Sequence, residues 1–178
     1  MRIISGKFRG KQLIVPKQLP VRPTTDFAKT GLFNIINNTY NFNKISCLDL
    51  YAGTGSLSFE FLSRGCGDIT SIDMNGGCCK YIKTTAVLLN NNNALSVIQA
   101  DVIKFLSTAL KPYDIIIADP PYAETPAEEL TKIVFERNLL KPGGVFILEH
   151  ASGNDLSNLA HYNDTRKYGH VSFSFFRE

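Results

Sequence analysis

A chain of 178 residues, 44% hydrophobic and 20% charged, is long enough to bury a sizeable core within one domain and too ordinary in composition for a disordered or fibrous protein. No stretch nears the roughly 20 apolar residues that span a bilayer, and the opening Met-Arg-Ile-Ile-Ser-Gly lacks the apolar core and cleavage site of a signal peptide, so a cytoplasmic protein is expected. The net charge of +3 conceals an asymmetry: residues 1–31 carry Arg2, Lys7, Arg9, Lys11, Lys17, Arg22 and Lys29 against Asp26 alone, while the remainder is net acidic, which fits a phosphate-binding patch on an acidic body.

In chain order, short extended runs at Arg2–Ser5 and Gln12–Val15 flank Gly6-Lys7-Phe8-Arg9-Gly10, predicting a small hairpin with a basic loop. Pro16, Pro20 and Pro23 keep the chain extended up to Thr24-Thr25-Asp26, a helix N-cap signal. The helix that follows runs to about Asn37, with Phe27, Leu32, Phe33, Ile35 and Ile36 on its apolar side. From residue 45 strand and helix alternate. Strands are predicted at Ile45–Leu50, Ile69–Asp73, Leu95–Gln99, Tyr113–Asp119 and Val145–Glu149, and helices at about 56–64, 75–90, 101–110 and 125–137. Gly65 and Lys141-Pro142-Gly143-Gly144 read as stops between elements, and Asn90–Asn93 as a turn. Tyr162–Tyr168, Gly169 and His170–Phe176 have no helix between them and predict an antiparallel hairpin at the sheet's end. The sum is an α/β chain: a mostly parallel, seven-stranded sheet with helices on both faces, a C-terminal antiparallel hairpin and a small N-terminal β extension. One domain covers 1–178, with residues 1–24 as its basic extension and 25–178 as its core.

The chemistry collects where parallel strands end. Strand one runs into Asp49-Leu50-Tyr51-Ala52-Gly53-Thr54-Gly55, a glycine turn that lets a ligand approach the backbone at a helix N-terminus. Ser58 stands where a dinucleotide fingerprint has its third glycine, and no lysine follows as in a P-loop. Asp49, ahead of the glycines, would repel a pyrophosphate and attract an ammonium group. Strand two ends in Asp73 and Met74, where a carboxylate grips ribose hydroxyls. Strand three leads to Asp101 and Val102, and strand four to Asp119-Pro120-Pro121-Tyr122. The two prolines remove N–H donors, so Asp119 and bare carbonyls face the crevice as acceptors beside a flat aromatic ring. That set suits a base bearing an exocyclic amino group. Cys47, Cys66, Cys78 and Cys79 form no C-x-x-C pair, and His150, His161 and His170 lack ligand spacing, so no metal is expected.

These motifs resemble the class I S-adenosylmethionine-dependent methyltransferases that modify amino groups of bases. The wider set, Arg2-Ile-Ile-Ser-Gly-Lys-Phe-Arg-Gly10, Arg22-Pro-Thr-Thr-Asp26, Leu32-Phe-Asn34, Leu48–Gly55, Asp119–Tyr122 and Tyr168-Gly169, is similar over nearly the whole chain to the RsmD family of small-subunit ribosomal RNA guanine-N2 methyltransferases. The resemblance implies a Rossmann-like fold and S-adenosyl-L-methionine as cofactor. Its implied target is one guanine of 16S rRNA, usually numbered 966, within the small subunit or an assembly intermediate, acted on by a monomer. It also implies roles: Asp49, Gly53 and Gly55 at the methionine part, Asp73 at the ribose and Asp101 toward the adenine, with Tyr51, Met74, Val102 and Asp119 also at the cofactor and Asp119 at the base as well. Asp119, Pro120 and Tyr122 would be catalytic, and Arg2, Lys7, Arg9, Lys11, Arg22, Thr24, Thr25 and Lys29 would contact RNA. Thr30 replaces the family's usual Glu. An adenine-N6 or cytosine-N4 methyltransferase acting on DNA or another RNA is the alternative, but this chain has little room for a target-recognition region.

Overall fold

The computed structural model describes residues 1–19, 24–121 and 127–178. Five strands, β1 (Ser46–Leu50), β2 (Asp68–Asp73), β3 (Leu95–Gln99), β4 (Tyr113–Ala118) and β5 (Leu140–Ala151), are joined by an antiparallel pair, β6 (Tyr162–Tyr168) and β7 (Val171–Phe176). They form one seven-stranded sheet in the order β3-β2-β1-β4-β5-β7-β6, parallel from β3 to β5. The order reverses between β1 and β4, and the crevice at such a switch point is where open α/β sheets bind ligands.

Side chains alternate across each strand, and the central strands are apolar on both faces, as parallel strands covered twice must be. On one face Cys47, Ile115, Ile117 and Ile147 pack under helices α1 (Asp26–Thr39), α2 (Ser56–Ser63) and α3 (Gly76–Leu88). On the other, Leu48, Leu50, Ile116 and Phe146 pack under α4 (Val102–Thr108) and α5 (Ala127–Glu136). Among the described residues no helix is long and apolar enough to cross a membrane.

Thr25 caps α1 by accepting from the Ala28 amide at 3.2 Å. The helix runs two residues beyond the expected Asn37, and its buried stripe is Ala28, Lys29, Leu32, Phe33 and Ile36. Phe27 lies off that stripe, 67% exposed, with its ring edge on Tyr168. A Cβ on Gly31 would overlap the Tyr168 ring, so α1 and β6 approach this closely because position 31 has no side chain.

Two expectations are corrected. The N-terminal runs do not extend into strands: they meet in one antiparallel bridge, Arg2 to Gln12, with Ile3 N donating to Lys11 O and Leu13 N to Met1 O, while the Ile4, Ser5, Lys7 and Phe8 amides bond to α2 instead. Lys141–Gly144 does not separate elements either. It lies inside β5 as an irregularity, where the β4–β5 register jumps from Tyr113/Leu140 to Ile115/Val145. The stop before β5 is Asn138, held at φ 52° just after α5.

Candidate active site

Asp49 is 2% exposed at the end of β1. Its Oδ2 accepts the Ser58 amide at 3.1 Å and also the Ser58 hydroxyl, which in turn meets Ser71 Oγ at 2.6 Å. Burial, opposed by those hydrogen bonds, pushes its carboxyl up to about 7, with the charges of Asp119 and Asp73 adding to the rise. Ser58, noticed in the sequence only as a missing glycine, is thus the partner that holds Asp49 in place.

The turn after Asp49 depends on left-handed backbone at Tyr51 (φ 58°), Gly53 (φ 53°) and Gly55 (φ 70°), the last serving as N-cap of α2 without a side chain. Asp73 closes the turn from β2. Its Oδ2 accepts from Gly53 N at 2.7 Å and its Oδ1 from Asn75 N at 2.8 Å. Met74 beside it is 70% exposed. Asp101 caps α4 through Lys104 N at 2.9 Å, with Val102 buried behind it.

Asp119 follows β4, its amide donating to Leu50 O at 3.3 Å, so the carboxyl ends of β1 and β4 are tied together. It is half-buried, and Pro120 is buried. Burial raises the Asp119 carboxyl above the usual range. On the neighbouring strand Glu149 is 4% exposed. Burial raises its carboxyl further still, with added repulsion from Asp119 and Asp49, and the Thr24 hydroxyl donates to its Oε2 at 3.4 Å. Ile117 pairs with both Asp49 and Ile147, so two residues on, Asp119 and Glu149 share the face that Asp49 occupies. Glu149 was missed in the sequence, although Val145-Phe-Ile-Leu148 followed by a carboxylate repeats the signature that singled out Asp119.

Tyr122 and Arg22 lie outside the described residues. Of the expected RNA contacts, Lys7, Arg9 and Lys11 are exposed. Arg2 is paired with Asp26 at 2.8 Å. Thr24 bonds Glu149, and Thr25 caps α1. Lys29 is a correction: it is 1% exposed, its Nζ donates to Arg2 O at 2.6 Å, and burial lowers its pKa. It therefore sits beneath the N-terminal segment and offers no surface to a phosphate.

That segment is pinned to α2. Glu60, wholly buried, accepts from Ile4 N (2.9 Å), Ser5 N (3.1 Å) and Arg64 Nη2 (2.9 Å). Ser63 Oγ accepts from Phe8 N at 2.9 Å and donates to Ser5 O at 2.5 Å. Gly6, at φ 80°, lies so close to Ser63 O that no side chain fits there.

The family model described as Conserved hypothetical protein 95 matches residues 1–177. Ribosomal RNA small subunit methyltransferase D of Escherichia coli K12 is 31% identical over 156 residues, 88% of this chain and 77% of that one. The chain belongs to the RsmD family of methyltransferases. The solved structure of the Escherichia coli protein yhhF agrees, with a TM-score of 0.86 at 26% identity over 99% of this chain and 96% of that one. The family fold extends to the Thermus thermophilus 16S rRNA N2 G1207 methyltransferase in complex with AdoMet and guanosine, at TM-score 0.69 and 18% identity over 89% of this chain and 44% of that one.

S-adenosylmethionine, the cofactor implied by this fold, carries a sulfonium and an ammonium. The site fits such a cation. Asp49 is buried and its carboxyl is raised by burial, and among the described residues the charged groups that act on it, Asp119 and Asp73, are carboxylates. A positive ligand would relieve that repulsion.

Proposed function

We propose that this chain transfers a methyl group from S-adenosylmethionine to the exocyclic N2 amino group of a guanine in 16S rRNA, presented by the small subunit or an assembly intermediate. The observation that carries the reading is Asp119: a half-buried carboxyl tied by its backbone to the glycine-loop strand and followed by a buried proline. The names and bound molecules of the relatives support the substrate class.

Asp49 and the Gly53–Gly55 turn would hold the cofactor's methionine part, Asp73 and Met74 its ribose side, and Asp101 and Val102 its adenine side. Bound there, S-adenosylmethionine supplies a methyl group on a sulfonium whose leaving sulfur departs neutral. The difficulty lies in the acceptor nitrogen, whose lone pair is delocalised into the ring. Asp119 and the Pro120 carbonyl accept hydrogen bonds from the amino group, draw the nitrogen toward tetrahedral geometry and aim its lone pair. Pro120 and Pro121 carry no N–H that would compete. Once methylated the nitrogen is strongly acidic and sheds its proton without a strong base; the Asp119 carboxylate is within reach of it. Tyr122 would stack on the extruded base, a contact worth about 1–3 kcal/mol. Positioning and electrostatics supply most of the acceleration. The pinned loop bearing Lys7, Arg9 and Lys11 would grip RNA phosphates.

A labelled-methyl assay on small subunits from cells lacking the enzyme, with the modified nucleotide mapped, tests the reading. Asp119→Ala should lower transfer by at least about 100-fold while calorimetry shows that the cofactor still binds. Transfer at the normal rate in that variant, or label on a different atom of the base, overturns it.

A further inference from the structure

We propose that Glu149 reads the N1–H and O6 positions of the target guanine beside Asp119, making it the residue that sets specificity for guanine over other 2-amino purines. The inference rests on the guanine reading above and adds to it a residue that the sequence motifs did not single out.

The placement comes first. β4 and β5 are adjacent parallel strands in register at Ala118 and Leu148, so Asp119 and Glu149 leave the sheet side by side, on the same face. Neighbouring strands lie about 4.8 Å apart. Two carboxyl groups at that spacing can meet neighbouring positions on one edge of a single base. Glu149 is also buried, and the Thr24 hydroxyl, just ahead of α1, holds its Oε2. A fixed, desolvated polar group discriminates more sharply than a mobile, wet one, because a ligand lacking the matching group leaves it unpaired.

The chemistry of the pair comes second. Among the described residues, the charged groups that act on Glu149 are Asp119 at the end of β4 and Asp49 at the end of β1, with Asp73 on β2 acting in turn on Asp49. From β7 it faces Phe173, and from the segment before α1 the Thr24 hydroxyl. On α1, Asp26 is paired with Arg2 and with Lys29, and the Lys29 ammonium also donates to Arg2 O, so neither charge is directed at Glu149. Surrounded by acids, Glu149 keeps its proton to higher pH than Asp119 does. A protonated carboxyl offers one acceptor and one donor side by side, matching the N1–H donor and O6 acceptor of guanine. An ionised Asp119 accepts from the 2-amino group. The two residues together then match three successive groups on the Watson–Crick edge. Adenine carries its amino group at C6 and has none at C2 for Asp119. 2-Aminopurine keeps that amino group but lacks both N1–H and O6.

The test compares small subunits carrying guanine or 2-aminopurine at the target position, with wild-type enzyme, Glu149→Ala and Glu149→Gln. Glutamine reproduces the donor and acceptor of the protonated acid but cannot ionise. Glu149→Ala should lower kcat/KM for guanine about 10- to 100-fold, the range of a good two-point base contact, and change 2-aminopurine by less than about threefold, well under the smallest such contact. Glu149→Gln should restore guanine methylation at neutral pH and stay active at alkaline pH, where the wild type declines as Glu149 ionises. Equal losses on both bases in Glu149→Ala, or parallel pH profiles for wild type and Glu149→Gln, overturn the proposal. If Glu149→Ala does not fold, as cofactor calorimetry would reveal, the Glu149→Gln profile decides alone. If the wild type methylates no guanine, the parent reading fails instead, and the two failures are told apart.

Discussion

Asp49 poses a conflict between stability and ligand binding that can be measured on the protein without its cofactor. Its carboxyl is 2% exposed and is raised from 3.8 to about 7, first by burial. A carboxyl whose folded pKa exceeds its unfolded one binds protons more tightly in the folded state. Its contribution is therefore fully present below about pH 4 and is lost as pH rises through about 7. Roughly three pKa units at about 1.4 kcal/mol each give a loss on the order of 4 kcal/mol. Asp49→Asn removes the ionisation while its side-chain carbonyl can still accept from the Ser58 amide. Urea unfolding of both proteins from pH 4.5 to 8 should show the variant gaining on the wild type by a few kcal/mol across that range. At the same time, cofactor affinity in the variant should fall. Superimposable pH dependences would refute the reasoning, since they would mean that Asp49 ionises in the fold at no cost. The neighbouring carboxylates do not mask the result: removing the Asp49 charge also lessens the repulsion on Glu149, which adds to the variant's gain as pH rises.

Two further outcomes concern the N-terminal segment. Replacing Lys7, Arg9 and Lys11 together by Ala should reduce the salt dependence of RNA binding, each lost phosphate contact lowering the logarithmic slope by about 0.7–0.9; an unchanged slope in a filter-binding titration would remove the loop from the RNA interface. Gly6→Ala places a Cβ against the Ser63 carbonyl at a φ of 80° and should cost about 2–3 kcal/mol in urea unfolding; a neutral result would mean that the loop does not dock on α2.

The parallel sheet was legible because its signals are local. Tyr113–Ala118 and Leu95–Gln99 are apolar runs bounded by turn residues, and both strands form where expected. The capped start of α1 and the tail hairpin were legible for the same reason. What could not be read depends on partners distant in sequence. Lys29 looks like a surface cation among basic neighbours, yet Arg2 O and Asp26 hold it in the interior. The N-terminal runs look like strands, but their loop amides bond Glu60 and Ser63, more than fifty residues away. In the site, Asp49, Asp73 and Asp119 stand at strand ends as the motifs implied. Glu149 was not recognised because its meaning comes from adjacency to Asp119 across β4 and β5, which a linear reading does not display.

These long-range contacts converge on α2, every residue of which is buried. Its N-terminus carries Gly55 and, one turn in, Ser58, the partner of Asp49. Its C-terminal half carries Glu60 and Ser63, which fix the basic loop. An eight-residue helix is about 12 Å long and does not stretch. The spacing between the expected methyl donor and the expected phosphate grip is therefore set by one rigid element and not by a flexible tail. A loose basic arm would gain affinity without register, since charge alone holds RNA at many positions. A pinned one would hold the phosphates at a defined distance from Asp119. The burial of Glu60, costly for a carboxylate unless it is well partnered, is then intelligible: two backbone amides and the Arg64 guanidinium compensate it, and in return the loop is fixed to α2.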